Sequence, residues 1–225
     1  MSLKSKSSRT PSTRMSETPT PLRIESCHEY VIGLDEVGNG CLAGPLVLCA
    51  VISRNGAPSP GPWIIDSKRL TKSGGLVMGT KLLFQYPYFW NFGFGYATAR
   101  EINILGHGQA WNKAAEMAVK MVYRPGSFLV IDGVRPIPNY QGAGACIPKA
   151  EDRCWQVAAA SILAKVCRDT CMVGTFEPLF PGYGLGTHMG YPTTQHIKSL
   201  LSKGLSPAHR ILASNTAMKN HRGRH

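Results

Sequence analysis

Apolar and polar positions along the chain follow two different periods. Runs of consecutive apolar residues, V-I-G-L at 31–34, L-V-L-C-A-V-I-S at 46–53 and S-F-L-V-I at 127–131, are closed by acidic residues, glycine or arginine and read as buried strands. Helical spacing takes over at 108–123 and, most clearly, at 155–173, W-Q-V-A-A-A-S-I-L-A-K-V-C-R-D-T-C-M-V. The alanines on either side of Ile162 and Leu163 suit close packing of that helix on a sheet. Alternation of the two periods predicts a mixed α/β domain. The aromatic stretch Y-P-Y-F-W-N-F-G-F-G at 86–95 reads as one strand followed by another, and the glycines at 73–80 weaken any helix there. Both ends lack a core pattern. Residues 1–29 are rich in Ser, Thr, Pro and basic residues and predict a disordered tail, and 213–225, ending N-T-A-M-K-N-H-R-G-R-H, predicts a second, basic one.

With 225 residues and 43% apolar content, the chain has material for one domain, placed at 30–212. No apolar stretch approaches the roughly 20 residues that a membrane-spanning helix needs, and the N-terminus lacks the apolar core of a secretory signal. A cytoplasmic protein without membrane attachment is therefore expected, with organelle import as a minor alternative because acids are sparse before Glu17. The seven cysteines are scattered and odd in number, which predicts reduced thiols rather than disulfides or a zinc site. Charge changes the picture more: 25 Lys and Arg against 13 Asp and Glu leave a net +12, and nucleic acid becomes the leading class of partner.

The few acids lie where strands end. V-I-G-L-D-E-V-G-N-G-C-L-A-G-P at 31–45 carries an apolar run into adjacent carboxylates, Asp35 and Glu36, and then into a glycine-rich turn. Ionised carboxylates at a buried strand end need a cation, and both can face one site only if the chain bends there, which Gly38 and Gly40 would allow. S-F-L-V-I-D-G at 127–133 repeats the pattern with Asp132, and P-K-A-E-D-R at 148–153 sets Glu151 and Asp152 before the long alanine-rich helix. Two strand-end acidic sites in a parallel sheet would meet at one edge. Four converging carboxylates suit Mg²⁺ or Mn²⁺.

At this point the chain resembles the ribonuclease HII family, the type 2 ribonucleases H, over roughly residues 30–211. The matching pieces occur in family order: G-L-D-E-V-G-N-G-C-L-A-G-P (33–45), D-S-K-R-L (66–70), E-I-N-I-L-G-H-G-Q-A (101–110), V-I-D-G (130–133), K-A-E-D-R (149–153) with A-A-A-S-I-L-A-K-V-C-R-D (158–169), G-Y-G-L-G-T-H-M-G-Y-P-T (182–193) and G-L-S-P-A-H-R (204–210). The resemblance implies an RNase H-like fold, a central mixed sheet flanked by helices with a small helical C-terminal part. It implies an endonuclease that hydrolyses the RNA strand of RNA–DNA hybrids and cuts 5′ of ribonucleotides embedded in duplex DNA, using Mg²⁺ or Mn²⁺ and leaving 3′-hydroxyl and 5′-phosphate ends; with no clamp-docking motif evident near residue 225, a monomer is expected. Such an activity belongs to DNA replication and the excision of misplaced ribonucleotides.

Carried over by position, Asp35, Glu36 and Asp132 match family carboxylates that hold metal, and the fourth matches Glu151, with Asp152 as the alternative. The turn that reads the ribonucleotide, G-R-G in the family, is Gly38-Asn39-Gly40 here; Ser67 and Lys68 match a phosphate-contacting loop, and Tyr191 the tyrosine that stacks on the next sugar. Asn103 stands where the family often has Asp and is assigned a structural role. His107, His188, His196 and His209 read as loop or surface histidines, Lys165 and Arg168 as facing substrate or solvent, and Asp169 as a helix-end acid paired with an arginine. The changes at the fourth acid and in the glycine turn also permit a hybrid-binding protein with weak catalysis, and a related exonuclease is the third reading.

Overall fold

The computed structural model describes residues 22–59, 61, 64, 90–138 and 140–223. Strand β1 (Tyr30–Val37) pairs antiparallel with β2 (Leu46–Arg54), and β2 pairs antiparallel with β3 (Trp90–Ala97). The chain crosses over through α1 (Ala99–Leu105) and α2 (His107–Val122) to β4 (Ser127–Asp132), which lies parallel to β1 on its other side; β5 (Ala143–Ile147) is parallel to β4. The result is a five-stranded mixed sheet in the order β3-β2-β1-β4-β5. A 3₁₀ turn at Ala150–Asp152 leads into α3 (Trp155–Cys171), and beyond a π-helical turn at Met172–Phe176 come α4 (Thr194–Lys203) and α5 (Ile211–Arg222).

Period-two alternation sorts the sheet into two faces. Ile32, Leu34, Leu48, Ala50, Leu129 and Ile131 pack with Trp111, Ala114 and Ala118 of α2. Val47, Cys49 and Val51 pack with Ala159, Ala160 and Leu163 of α3, and Val31 and Val130 pack with Val157. Small residues set the distances: a Cβ on Gly95 would lie 1.8 Å from the Ala114 carbonyl oxygen, so α2 rests on β3 at a separation that no larger residue permits. Leu42, Ala43, Met172, Leu185 and Leu200 form a further cluster under the C-terminal helices. The mixed sheet, the flanking helices and the helical C-terminal part agree with the expected architecture.

Three local features differ from the sequence reading. β1 does not bend at its acids, because pairing continues to Val37 opposite Val47, and the chain turns only at Gly38, φ +87°. Residues 22–29, expected in the disordered tail, pack on the domain: Leu22 N–H donates to the Arg153 carbonyl at 2.9 Å, and the His28 ring lies 5.0 Å from that of Phe128. Residues 213–222, expected in the basic tail, are helical, since Ser214 is buried with its hydroxyl donating to the Leu42 carbonyl, and Ala217 and Met218 cover the C-terminal cluster. The segment 73–80 lies outside the described residues, as do Ser67 and Lys68.

Candidate active site

Parallel pairing of β1 with β4 positions the acids. Leu34 is opposite Ile131, so one step further along each strand brings Asp35 and Asp132 to neighbouring strand ends on the face covered by α3. Asp35 is 8% exposed. The Glu36 N–H and the Ser161 hydroxyl donate to it, yet burial, with repulsion from Asp132 and Glu36, pushes its carboxyl up to about 7. Asp132 Oδ1 accepts from the Ala150 N–H at 2.9 Å, which ties the strand end to the turn before α3. Glu36 projects to the other face, where its carboxylate accepts from Trp111 Nε1 at 3.4 Å and Asn39 Nδ2 at 3.1 Å. Burial raises its carboxyl too, against the opposing pull of Trp111.

Glu151 and Asp152 follow Ala150 in the turn whose backbone Asp132 holds; Glu151 is buried and Asp152 exposed. Among the described residues no lysine or arginine forms an ion pair with Asp35, Glu36 or Asp132. Neighbouring carboxylates that repel one another, two of them pushed upward by burial, are a donor set whose charge a hard divalent ion would balance, so their chemistry fits Mg²⁺ or Mn²⁺. The expected convergence is incomplete: among the described residues no three acidic, histidine or cysteine side chains are gathered tightly enough to hold an ion as they stand. Glu36 is kept on the opposite face by the straight strand and its Trp111 and Asn39 partners, and Glu151 does not complete a set of three with Asp35 and Asp132.

The glycine turn is built against arginines. Arg168, 0% exposed, donates from Nε to the Pro45 carbonyl at 2.9 Å, from Nη1 to Met189 at 2.8 Å and from Nη2 to Ala43 at 3.0 Å. A Cβ on Gly38 would lie 2.3 Å from Arg168 Nε, so the turn needs glycine for space as well as for its positive φ. Arg210 holds the Asn39 and Gly44 carbonyls at 3.1 Å, and burial lowers its guanidinium to about 10. Asn39 and Gly40 are exposed at the turn's tip. Tyr191 is exposed with its ring 5.9 Å from the Arg168 guanidinium, and the Gly190 carbonyl accepts from Leu42 N–H at 2.8 Å. Turn and tyrosine are thus fastened to one another.

Other assignments change. Arg168 faces neither substrate nor solvent but the protein's own carbonyls, and Lys165 pairs with Asp169 at 2.8 Å, so the acid's partner is a lysine. His196 and His209 are core residues hydrogen-bonded to each other at 3.1 Å, with His188 stacked 4.3 Å from His196. Their spacing in sequence resembles no ligand motif, and no local signal announces the cluster. Asn103 bridges, as expected of a structural residue: it donates to the His209 carbonyl at 3.0 Å and accepts from Ile211 N–H at 2.8 Å.

A family model described as ribonuclease HII matches residues 32–216. A ribonuclease HII from Parasynechococcus marenigrum (strain WH8102) is 37% identical over 198 residues, 85% of this chain and 86% of that protein. The crystal structure of the ribonuclease H2 from Pyrococcus horikoshii OT3 is similar with a TM-score of 0.65 at 20% identity, covering 86% of this chain and 99% of that one. That of Bst-RNase HIII in complex with Mn²⁺ gives 0.61 at 17%, covering 89% and 72%. The two structural likenesses show a shared fold.

Proposed function

The chain belongs to the ribonuclease HII family and is an endoribonuclease of the ribonuclease H kind, and we propose that it cuts the RNA strand of RNA–DNA hybrids and the 5′ side of ribonucleotides embedded in duplex DNA. The observation that carries this reading is the parallel β1–β4 pairing, which sets Asp35 and Asp132 side by side at one sheet edge, next to a glycine turn fastened to Tyr191. Phosphodiester hydrolysis by attack of water builds negative charge on the entering and leaving oxygens. Two divalent ions, when bound, stabilise both; the relative solved with Mn²⁺ supports that choice of ion.

Asp35, Asp132 and Glu36 would hold the ions, with buried Glu151 favoured over exposed Asp152 as the fourth carboxylate. The Gly38-Asn39-Gly40 backbone presents its N–H groups to the 2′-hydroxyl, the group that separates RNA from DNA. The aromatic face of Tyr191 stacks on the following sugar, and Ser67 and Lys68 approach a flanking phosphate. Departure of the ribose 3′-oxygen leaves 3′-hydroxyl and 5′-phosphate ends. Removal of misplaced ribonucleotides from DNA is the cellular role that follows. The chain acts as a monomer in this reading.

The test is cleavage of an end-labelled duplex with one internal ribonucleotide in Mg²⁺ or Mn²⁺, comparing wild type with Asp132→Asn, Glu151→Gln and Asp152→Asn. A cut 5′ of the ribonucleotide, lost at least 10³-fold in Asp132→Asn and Glu151→Gln but kept in Asp152→Asn, is expected, in line with the loss of an essential electrostatic group, about 10²–10³ or more. Binding without a cut in either metal would favour the second reading, a hybrid-binding protein, which the attachment of Glu36 to Trp111 on the opposite face supports.

A further inference from the structure

Tyr191 and the glycine turn come from distant parts of the chain, and a hydrogen-bond relay joins them. The Ser206 N–H points at His209 Nδ1 at 3.0 Å and the Ser206 hydroxyl lies 2.8 Å from it, against a longer 3.3 Å to the Ser206 carbonyl, a geometry that favours Nδ1 as the acceptor and His209 Nε2 as the proton carrier. His209 Nε2 meets His196 Nε2 at 3.1 Å, which must accept. The proton of His196 therefore sits on Nδ1, where it is donated to the Tyr191 carbonyl at 2.9 Å. At the other end, His209 bridges to Ala43, and the next residue, Arg210, donates from its backbone to Leu42 and from its guanidinium to Asn39 and Gly44.

We propose that His196 and His209 are positioning residues for ribonucleotide recognition: a neutral pair in fixed tautomeric order that locks the Tyr191 backbone to the Gly38-Asn39-Gly40 turn. The assignment rests on the reading of that turn and Tyr191 as the ribonucleotide-recognising surface. Both rings are buried, at 0% and 1% exposure, so no water can substitute for a lost partner. Burial and the neighbouring His188 work against a charge on either ring. His188 stacks on His196 with its Nε2 on the Tyr183 carbonyl, Tyr183 lies 4.8 Å from His209 with Lys203 above its ring, and Arg168, Arg210 and Cys41 flank Tyr191. A proton added to His196 Nε2 would set N–H against N–H and open the relay.

Two measurements on the full chain test this. Long-range ¹⁵N correlation spectra at pH 7.5 should show His196 as the Nδ1–H tautomer and His209 as the Nε2–H tautomer. Binding of a labelled duplex with one ribonucleotide, relative to the same duplex in DNA alone and without divalent metal, should then be compared in wild type, His196→Asn, His209→Gln and the double variant. His196→Asn keeps a donor for Tyr191 but loses the acceptor that faces His209, and His209→Gln can still reach His196 but loses the Nδ1 acceptor that anchors the pair to the Ser206 N–H, so either variant breaks the relay. Each should reduce ribonucleotide preference roughly five- to tenfold, the worth of about one positioning hydrogen bond, with no further loss in the double variant. Reversed tautomers, intact preference in the variants, or additive losses would overturn the tie. A wild type with the stated tautomers but no preference for the ribonucleotide would overturn the functional reading, and the recognition role with it.

Discussion

Arg168 shows how one side chain shapes the site without entering it. Its guanidinium is wholly buried and spends its donors on the Ala43, Pro45 and Met189 carbonyls, which belong to the two loops that would grip substrate. Arg168→Met fills similar volume but strips the charged donor from three carbonyls, leaving Met189 with only the weak Cys41 thiol at 3.5 Å, so a loss of about 3–5 kcal/mol is expected in urea unfolding, as for breaking a buried charged network. Gly38→Ala drives a methyl into the same group and should cost less when added to Arg168→Met than in wild type, because the clash with the guanidinium goes while the strain of a positive φ and the close approach to the Pro45 carbonyl remain. Additive losses would show that the two residues act separately. The strand-end places of Asp35 and Asp132, and the position of Glu151 in the turn before α3, were legible in the sequence because each closes an apolar run or precedes a long helix. Arg168, His196 and His209 were not, since their partners lie far away in the chain and K-V-C-R-D reads locally as an ordinary helix end.

Elements followed the same rule. Apolar period alone placed α2 and α3 within a residue or two, and the acidic strand ends were expected to converge in a parallel sheet, which the pairing of β1 with β4 provides for Asp35 and Asp132. α5 escaped, since its helix is polar on most sides and is stabilised by Ser214 and the Asn103 bridge, neither of which leaves a periodic trace. The histidine pair makes the α4–α5 region the acid-sensitive part of the fold. Burial lowers His196 to about 4 and lowers His209 as well, whereas unfolded histidine titrates near 6.5. The unfolded chain therefore binds more protons, and the stability that neutral His196 contributes is complete above about pH 6.5 and is lost as pH falls towards 4. Between pH 7 and 5 the melting temperature should drop by about 5 °C more in wild type than in the His196→Asn, His209→Gln double variant. Parallel curves in calorimetry would mean that both rings are protonated in the folded protein.

For the molecule as a whole, charge and recognition separate. The net charge of +12 provides general attraction to a polyanion, while the groups proposed to read the ribonucleotide are uncharged: backbone N–H groups at Gly38-Asn39-Gly40 and the ring of Tyr191. Release of condensed counterions makes log affinity fall with log salt by roughly 0.9 per phosphate neutralised. Raising salt tenfold should therefore weaken an all-DNA duplex and a ribonucleotide-bearing duplex by the same factor, and leave their ratio within about twofold. Asn39 sharpens the test, because it occupies the tip of the turn, exposed, where an arginine would add one phosphate contact. Asn39→Arg should steepen the salt dependence by about one unit for both duplexes and tighten both at low salt, with the preference unchanged. If the ratio itself moved with salt in wild type, a charged group would be reading the ribonucleotide, and the backbone of the turn would be the wrong place to look for its selectivity.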